Sequence, residues 1–456
     1  MAYNKESFCP EAWSQIEITS MGDYSICCLA NNDIDFGIAV DKAGKPMNVM
    51  THSFADALNS ETHKQHRLQL SRNEKPIRCR NCYDAEDSTR GDPRFSIYSL
   101  HVGRSKRQRV MRSTAPSIPI YVKHNTADMY TDAVTGETTS KIANLHLRFG
   151  NLCNMKCIMC SPQHSNLWYD DYVAFGHRGY DGITPIYKLG DKRTFKILPD
   201  DQGRNKMNFV QWWETDIWWN RFQEVMPDLK YIYFTGGEPF LVPGMAQCLD
   251  LLIEAGLAAD IRLRFDTNLS VINNKILEKL DKFKAVQLCI SIDDTEERYD
   301  FIRFPGNYNT FITNLARLKQ TNIKIEYISS CIGIGSIYAI PRVCAVAEEN
   351  GIRPEFRYLE GPEWLDLRYL PPSAKKEIIA KYEALGTERP ASAKWHEAII
   401  KLLNKYMDDS YTNYNHLNDF VKYMDILDHQ RVTDWRVTIA DTYELLQRHC
   451  PNLENL

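Results

Sequence analysis

The sequence has no run of about 18 apolar residues, so it carries no candidate membrane-spanning helix. Its first residues, Met1-Ala-Tyr-Asn-Lys-Glu-Ser7, lack the apolar core of a secretory signal, and the chain is expected in a reducing cytoplasm. No repeat or low-complexity tract is visible, which excludes solenoids and arrays. Net charge is also scarce. Lys and Arg number 55 against 59 Asp and Glu, giving −4 at pH 7, with a pI near 6.3. That balance argues against bulk nucleic-acid binding and leaves room only for a local basic groove. What the chain does have is size and thiols. Its 456 residues, 43% hydrophobic, suffice for two or three cored domains. Its thirteen cysteines, in a reducing compartment, read as metal ligands and buried thiols rather than disulfides.

Three of those thiols fall within eight residues, Cys153-Asn-Met-Lys-Cys157-Ile-Met-Cys160. The alternating segment Asn144-Leu-His-Leu-Arg-Phe149 before them reads as a strand, broken by Gly150 and Asn151. Closed zinc sites want four protein ligands. Thiolates also hold four-iron cubanes, and three cysteines on four irons leave one iron open to a substrate. Downstream, Leu229–Thr235 reads as a short buried strand ending in Gly236-Gly237-Glu238-Pro239. Glycines there allow a ligand close to the backbone, and a carboxylate beside them is suited to an ammonium group.

The C-x3-C-x2-C loop followed by Gly-Gly-Glu-Pro resembles the signature of radical S-adenosylmethionine (radical SAM) enzymes. The resemblance implies that Cys153, Cys157 and Cys160 hold a catalytic [4Fe–4S] cluster and that Met159 lies against the adenine. Gly236, Gly237 and Glu238 are expected on the methionine ammonium. Asn268, Ser291 and Asp293, each at the end of a predicted strand, resemble positions that touch the ribose or the methionine carboxylate; turn capping explains them equally. Arg303 offers two parallel donors to that carboxylate, or forms a structural ion pair. Strand patterns at 261–265, 286–290, 323–328 and 354–358 alternate with helical ones at 273–283, 309–321 and 339–351. This predicts an α/β fold, a partial (β/α)6 barrel over 141–365, with an insertion at 170–208.

The first hundred residues hold a second cysteine group. Trp13–Ile18 and Tyr24–Cys28 read as a hairpin with Cys9 and Cys27 near its ends, and Cys79-Arg-Asn-Cys82 adds a C-x2-C pair. A helix is predicted from Ser53 to Leu70. Residues 1–100 resemble the SPASM extension, or its half-length twitch form, through Phe8-Cys9-x3-Trp13, the Gly22 turn before Cys27-Cys28, and Cys79-x2-Cys82-Tyr83. The resemblance implies an auxiliary iron–sulfur cluster on Cys9, Cys27, Cys79 and Cys82, with Cys28 as alternate. A zinc-ribbon-like site stays open, since thiolates suit both metals.

Residues 101–140 are expected to be a connector. Its basic run, Arg104, Lys106, Arg107, Arg109 and Arg112, reads as a solvated face or a grip on an acidic substrate or phosphate backbone. The tryptophans at 212, 213, 218 and 219 read as a core or interface helix, or as a base-stacking surface. Cys248, Cys289, Cys331 and Cys344 sit in apolar patterns and read as small buried hydrophobes, and Cys450 as unliganded. Residues 366–456 are expected to form a helical extension, with Ser373 as an N-cap. The resemblance extends to twitch domain-containing radical SAM proteins of tailed phages, which implies a host cytoplasm if this chain is phage-encoded. It implies reductive SAM cleavage and hydrogen abstraction from a peptide or protein side chain, and an electron donor such as flavodoxin or ferredoxin. Two alternatives remain: a radical SAM enzyme acting on a nucleotide or RNA, and a non-catalytic zinc-binding scaffold.

Overall fold

The computed structural model describes residues 7–30, 37–80, 82–83, 122–123, 125–177, 187–189, 193–195, 197–207, 210–385 and 390–454. The basic run at 104–112 lies outside them, as does most of the connector. Strands are β1 (Gln15–Ile18), β2 (Tyr24–Ser25), β3 (Asn144–Arg148), β4 (Tyr187–Leu189), β5 (Arg193–Phe195), β6 (Ile197–Pro199), β7 (Asn205–Met207), β8 (Tyr231–Thr235), β9 (Arg262–Thr267), β10 (Ala285–Ser291), β11 (Lys324–Ile332) and β12 (Pro354–Tyr358). One eight-stranded sheet runs β12-β11-β10-β9-β8-β3-β1-β2. Every pair in it is parallel except β1 with β2.

Strands of parallel sheets buried on both faces usually read as continuous apolar runs. Here they alternate, and the alternation has a physical consequence. Leu145 and Leu147, Ile232 and Phe234, and Leu263 and Phe265 belong to the main apolar core. Their neighbours His146, Tyr233, Arg264 and Asp266 instead line a cavity of about 600 Å³ on the sheet's other face. The fold is thus α/β with apolar packing on one face of the strands and a polar interior on the other. That matches the partial-barrel architecture expected from the strand–helix alternation. Helices at Pro243–Glu254, Asn274–Leu280, Tyr308–Leu318 and Ala339–Glu349 follow β8, β9, β10 and β11.

The hairpin of the N-terminal segment is laid on the edge of this sheet rather than apart from it. Ile16 stands opposite Leu145, and Glu17 opposite His146. The predicted 53–70 helix is two, Phe54–Leu58 and Glu61–Ser71, because Ser53 and Ser60 each cap a start with their side chains. Arg67 locks the second to its surroundings, donating to the carbonyls of Gly136, Ala12 and Leu58 at 2.7, 2.9 and 2.9 Å. In the 170–208 segment the structure shows a helix, Tyr169–His177, and two short hairpins, β4–β5 and β6–β7.

The C-terminal region is helical at Pro372–Leu385, Pro390–Lys405, Tyr414–Arg431 and Ala440–His449. Ser373 is not an N-cap. The helix starts one residue earlier, at Pro372, where a missing N–H costs nothing. The tryptophan stretch resolves as core. Trp212, Trp213 and Trp218 are buried, and Trp212 donates to the Ser20 carbonyl at 3.1 Å. Trp213 lies where a Cβ on Gly150 would meet its ring at 2.1 Å. These rings seat the entry to the cysteine loop, and Trp219 is half-buried against the same core.

Candidate active site and second thiol cluster

The cysteine loop leaves β3 through Gly150, whose φ of +63° suits the residue that ends the strand. It is then pinned from several directions. Lys156 N–H donates to the Phe304 carbonyl at 2.6 Å, and Ile158 N–H to that of Ile302 at 2.9 Å. Cys153 N–H donates to Asn166 Oδ1 at 3.0 Å. From the C-terminal region, Tyr423 Oη donates to the Ile158 carbonyl at 2.9 Å, and Arg431 Nη2 to the Lys156 carbonyl at 2.7 Å. The Arg431 guanidinium also stacks over Phe304 and Trp168 at 4.9 and 5.3 Å.

Cys153, Cys157 and Cys160 all line the 600 Å³ cavity. Burial first, then the charge of Cys157, pushes the Cys153 thiol up to about 12. A hydrogen bond from Cys160 holds Cys157 below its ordinary value, and the same bond together with burial raises Cys160. Burial disfavours thiolates at Cys153 and Cys160, so holding all three as thiolates calls for added positive charge. An iron–sulfur cluster supplies that positive charge and takes thiolates as ligands, so the donor set fits it. Cys153, Cys157 and Cys160 are not disulfide-bonded. Among the described residues no three His, Cys, Asp or Glu side chains close on a point as ligands of a single ion would.

The loop after β8 packs directly on the cysteine loop. A Cβ on Gly237 would stand 2.1 Å from the Leu152 carbonyl oxygen, and Glu238 N–H donates to that oxygen at 2.8 Å. Gly236 and Gly237 line the cavity. The Glu238 carboxylate lies behind them, off the cavity wall. It is fully buried. Its oxygens accept from Thr267 Oγ1 at 2.7 Å, Asn268 N–H at 2.8 Å and Phe240 N–H at 3.2 Å. Burial raises it to about 7 against those bonds. It braces the Gly-Gly turn against the end of β9.

Met159, Asn268, Ser291, Asp293 and Arg303 all line the same cavity. Asn268 Nδ2 donates to Asn154 Oδ1 at 3.1 Å and lies 4.0 Å from Cys153 Sγ. Asp293 is fully buried with φ +68°, an unusual conformation for an aspartate at a strand end. It pairs with Arg303 Nη2 at 2.6 Å and accepts from Cys331 N–H at 2.6 Å. Arg303 thus forms the ion pair, with Nη1 4.0 Å from Cys157 Sγ. Cys331, expected as a buried hydrophobe, also lines the cavity. Strand periodicity in its neighbourhood hid this, because β11 pairs with β10 through an irregular register at Leu288/Cys289.

The N-terminal cysteines divide between two cavities. Cys9, Cys27, Cys79 and Cys82 line one small cavity with apolar walls that include Ala12, Ile26 and Ala30. Cys28 lines the large cavity instead, and Leu29 borders both. His66, which sequence reasoning missed, borders the small cavity with Nε2 3.6 Å from Cys79 Sγ. Burial and the neighbouring Arg67 keep it neutral, lowered to about 3.

A family profile described as the radical SAM superfamily matches residues 147–336, and one described as an iron–sulfur cluster-binding domain, SPASM, matches residues 9–83. No curated protein matches the chain. Among solved structures, native anSMEcpe with bound AdoMet is similar at 14% identity and a TM-score of 0.34, over 54% of this chain and 61% of that one. Streptococcus suis SuiB bound to precursor peptide SuiA is similar at 15% identity and a TM-score of 0.33, over 54% and 46%. The matched region therefore spans less than two thirds of either structure's own length.

Proposed function

We propose that this chain, which matches the radical SAM superfamily over residues 147–336 and the SPASM iron–sulfur domain over residues 9–83, cleaves S-adenosylmethionine reductively and abstracts a hydrogen atom from a peptide or protein side chain. When bound, a [4Fe–4S] cluster on Cys153, Cys157 and Cys160 supplies the electron that breaks the sulfonium's carbon–sulfur bond. The protein's own part is placement and exclusion of water. The convergence of the three thiols on one cavity, directly under the Gly236-Gly237 turn, carries this reading. In it, the backbone of Gly236 and Gly237 meets the methionine ammonium, and Met159 lies against the adenine. Asn268 and Ser291 face the ribose or the carboxylate. Asp293 holds Arg303 in position beside Cys157. Support for an auxiliary iron–sulfur cluster on Cys9, Cys27, Cys79 and Cys82 is that these four thiols share one dry-walled cavity. Support for that substrate class is the SPASM match over residues 9–83, a resemblance that implies peptide or protein modification.

The test is metal and turnover analysis of anaerobically purified protein. The triple variant Cys153→Ala, Cys157→Ala, Cys160→Ala is expected to lose one cluster's iron and sulfide and all SAM cleavage, while retaining the second cluster. SAM cleavage by the triple variant overturns the assignment. Zinc without iron or sulfide in the unsubstituted protein overturns it in favour of a scaffold.

A further inference from the structure

The charge pattern of the large cavity narrows the substrate. Among the described residues five arginines line it, at 148, 264, 303, 353 and 357. Four are answered by carboxylates. Arg303 pairs with Asp293 at 2.6 Å, Arg148 with Glu17 at 2.8 Å, Arg353 with Glu355 at 3.0 Å, and Arg264 approaches Asp266 at 3.6 Å. The remaining acid on the wall, Glu326, is held by Lys324 at 3.0 Å. Arg357 is left over. Its side chain is exposed on the cavity wall, and among the described residues it has no hydrogen-bond or ion-pair partner.

Its placement concentrates the excess. Arg357 stands opposite Cys331 in the β11–β12 register. The Tyr327 ring has Arg264 on it at 5.5 Å and Arg353 at 5.6 Å, and Arg357 acts on the same phenol electrostatically. Two guanidiniums therefore stack on one tyrosine, and Arg357 stands within electrostatic reach of it, with two carboxylates among the three. Like charges held together in a partly enclosed site repel, and one anionic group relieves the repulsion. A guanidinium fork also matches the two oxygens of a carboxylate. Tyr231, Tyr233 and Tyr327 provide amphipathic wall around it.

We propose that Arg357 is the centre of a carboxylate subsite, so that the peptide substrate bears an acidic group that docks there while the reacting side chain faces the SAM end of the cavity. Among the described residues one charge is left uncompensated, which matches one carboxylate and not a polyanion. This rests on the reading of the cavity as a radical SAM active site.

Calorimetry on the SAM-loaded holoenzyme tests it with three pentapeptides. One has a central glutamate and an amidated C-terminus, one a central glutamine and an amidated C-terminus, and one a central glutamine and a free C-terminal carboxylate. At least one carboxylate peptide is expected to bind about tenfold more tightly than the neutral one, and which of them does so identifies the acidic group as side chain or terminus. Arg357→Met is expected to bring the three within twofold, and Arg357→Lys to keep part of the preference. Equal affinities in the unsubstituted protein, no binding by any peptide, or a preference that survives Arg357→Met overturns the proposal. So does a short RNA binding more tightly than every peptide. SAM cleavage by the unsubstituted holoenzyme, assayed alone, shows separately whether the parent reading stands.

Discussion

Gly237→Ala is a small change with a large expected effect. The added Cβ would stand 2.1 Å from the Leu152 carbonyl oxygen, 2.6 Å from its carbon and 2.9 Å from the Asn151 carbonyl carbon. Ordinary contact begins at 3.4 Å, so backbone must move by about 1.3 Å. No flexible side-chain tip can yield, since all three atoms are main chain. The same oxygen accepts the Glu238 N–H at 2.8 Å, and a separation of that size breaks the bond. Overpacking costs about 1–3 kcal/mol and the lost buried bond about 1 kcal/mol. Together they should lower the melting temperature by several degrees for a protein of this length. The strain also falls on the residue before Cys153, so iron retained on the loop thiols should fall with stability. Thermal unfolding and iron analysis of the same preparation read both. Unchanged melting and unchanged iron would refute the claim that the two loops are fitted to each other through Gly237.

Cys27→Ala is expected to lose the iron of the second site, whereas Cys28→Ala is expected to keep it, because only Cys27 faces the small cavity; iron analysis separates them. The raised value of Glu238, about 7 against an ordinary 4.5, gives the metal-free protein a pH signature. Folding then retains a proton that the unfolded chain has released, so the contribution is present below pH 4.5 and is lost as pH rises through 7. The gap corresponds to roughly 3 kcal/mol, and urea unfolding at pH 5 and 7.5 should show the loss in the unsubstituted protein but not in Glu238→Gln. Tyr423→Phe removes the donor to the Ile158 carbonyl between two cluster cysteines. It should cost about 1–3 kcal/mol in urea unfolding, and a variant of unchanged stability would remove the C-terminal helix from the site's support.

The parts visible in the sequence are those fixed by local rules. Strand patterns, alternating or short and apolar, place six strands from Asn144 to Tyr358 within a few residues of the observed ones. The two cysteine groups were visible because ligand spacing is itself local. What stayed hidden depends on distant chain. The support of the cysteine loop by Tyr423 and Arg431 joins residues more than 260 apart, and no short motif announces it. Arg357 looks in the sequence like any exposed strand residue. Only the pairing of the other four arginines with carboxylates, two of them on neighbouring strands or loops, leaves it conspicuous. Glu238 shows most directly how a motif side chain's surroundings depend on distant chain. The Gly-Gly-Glu sequence identifies the turn correctly, yet whether its carboxylate meets a ligand or the protein depends on Thr267 and Asn268, thirty residues on, whose donors arrive with β9. A fully buried carboxylate takes the donors that reach it. Here three protein donors reach it, so the side chain holds the turn and the glycine backbone is left to face the cavity.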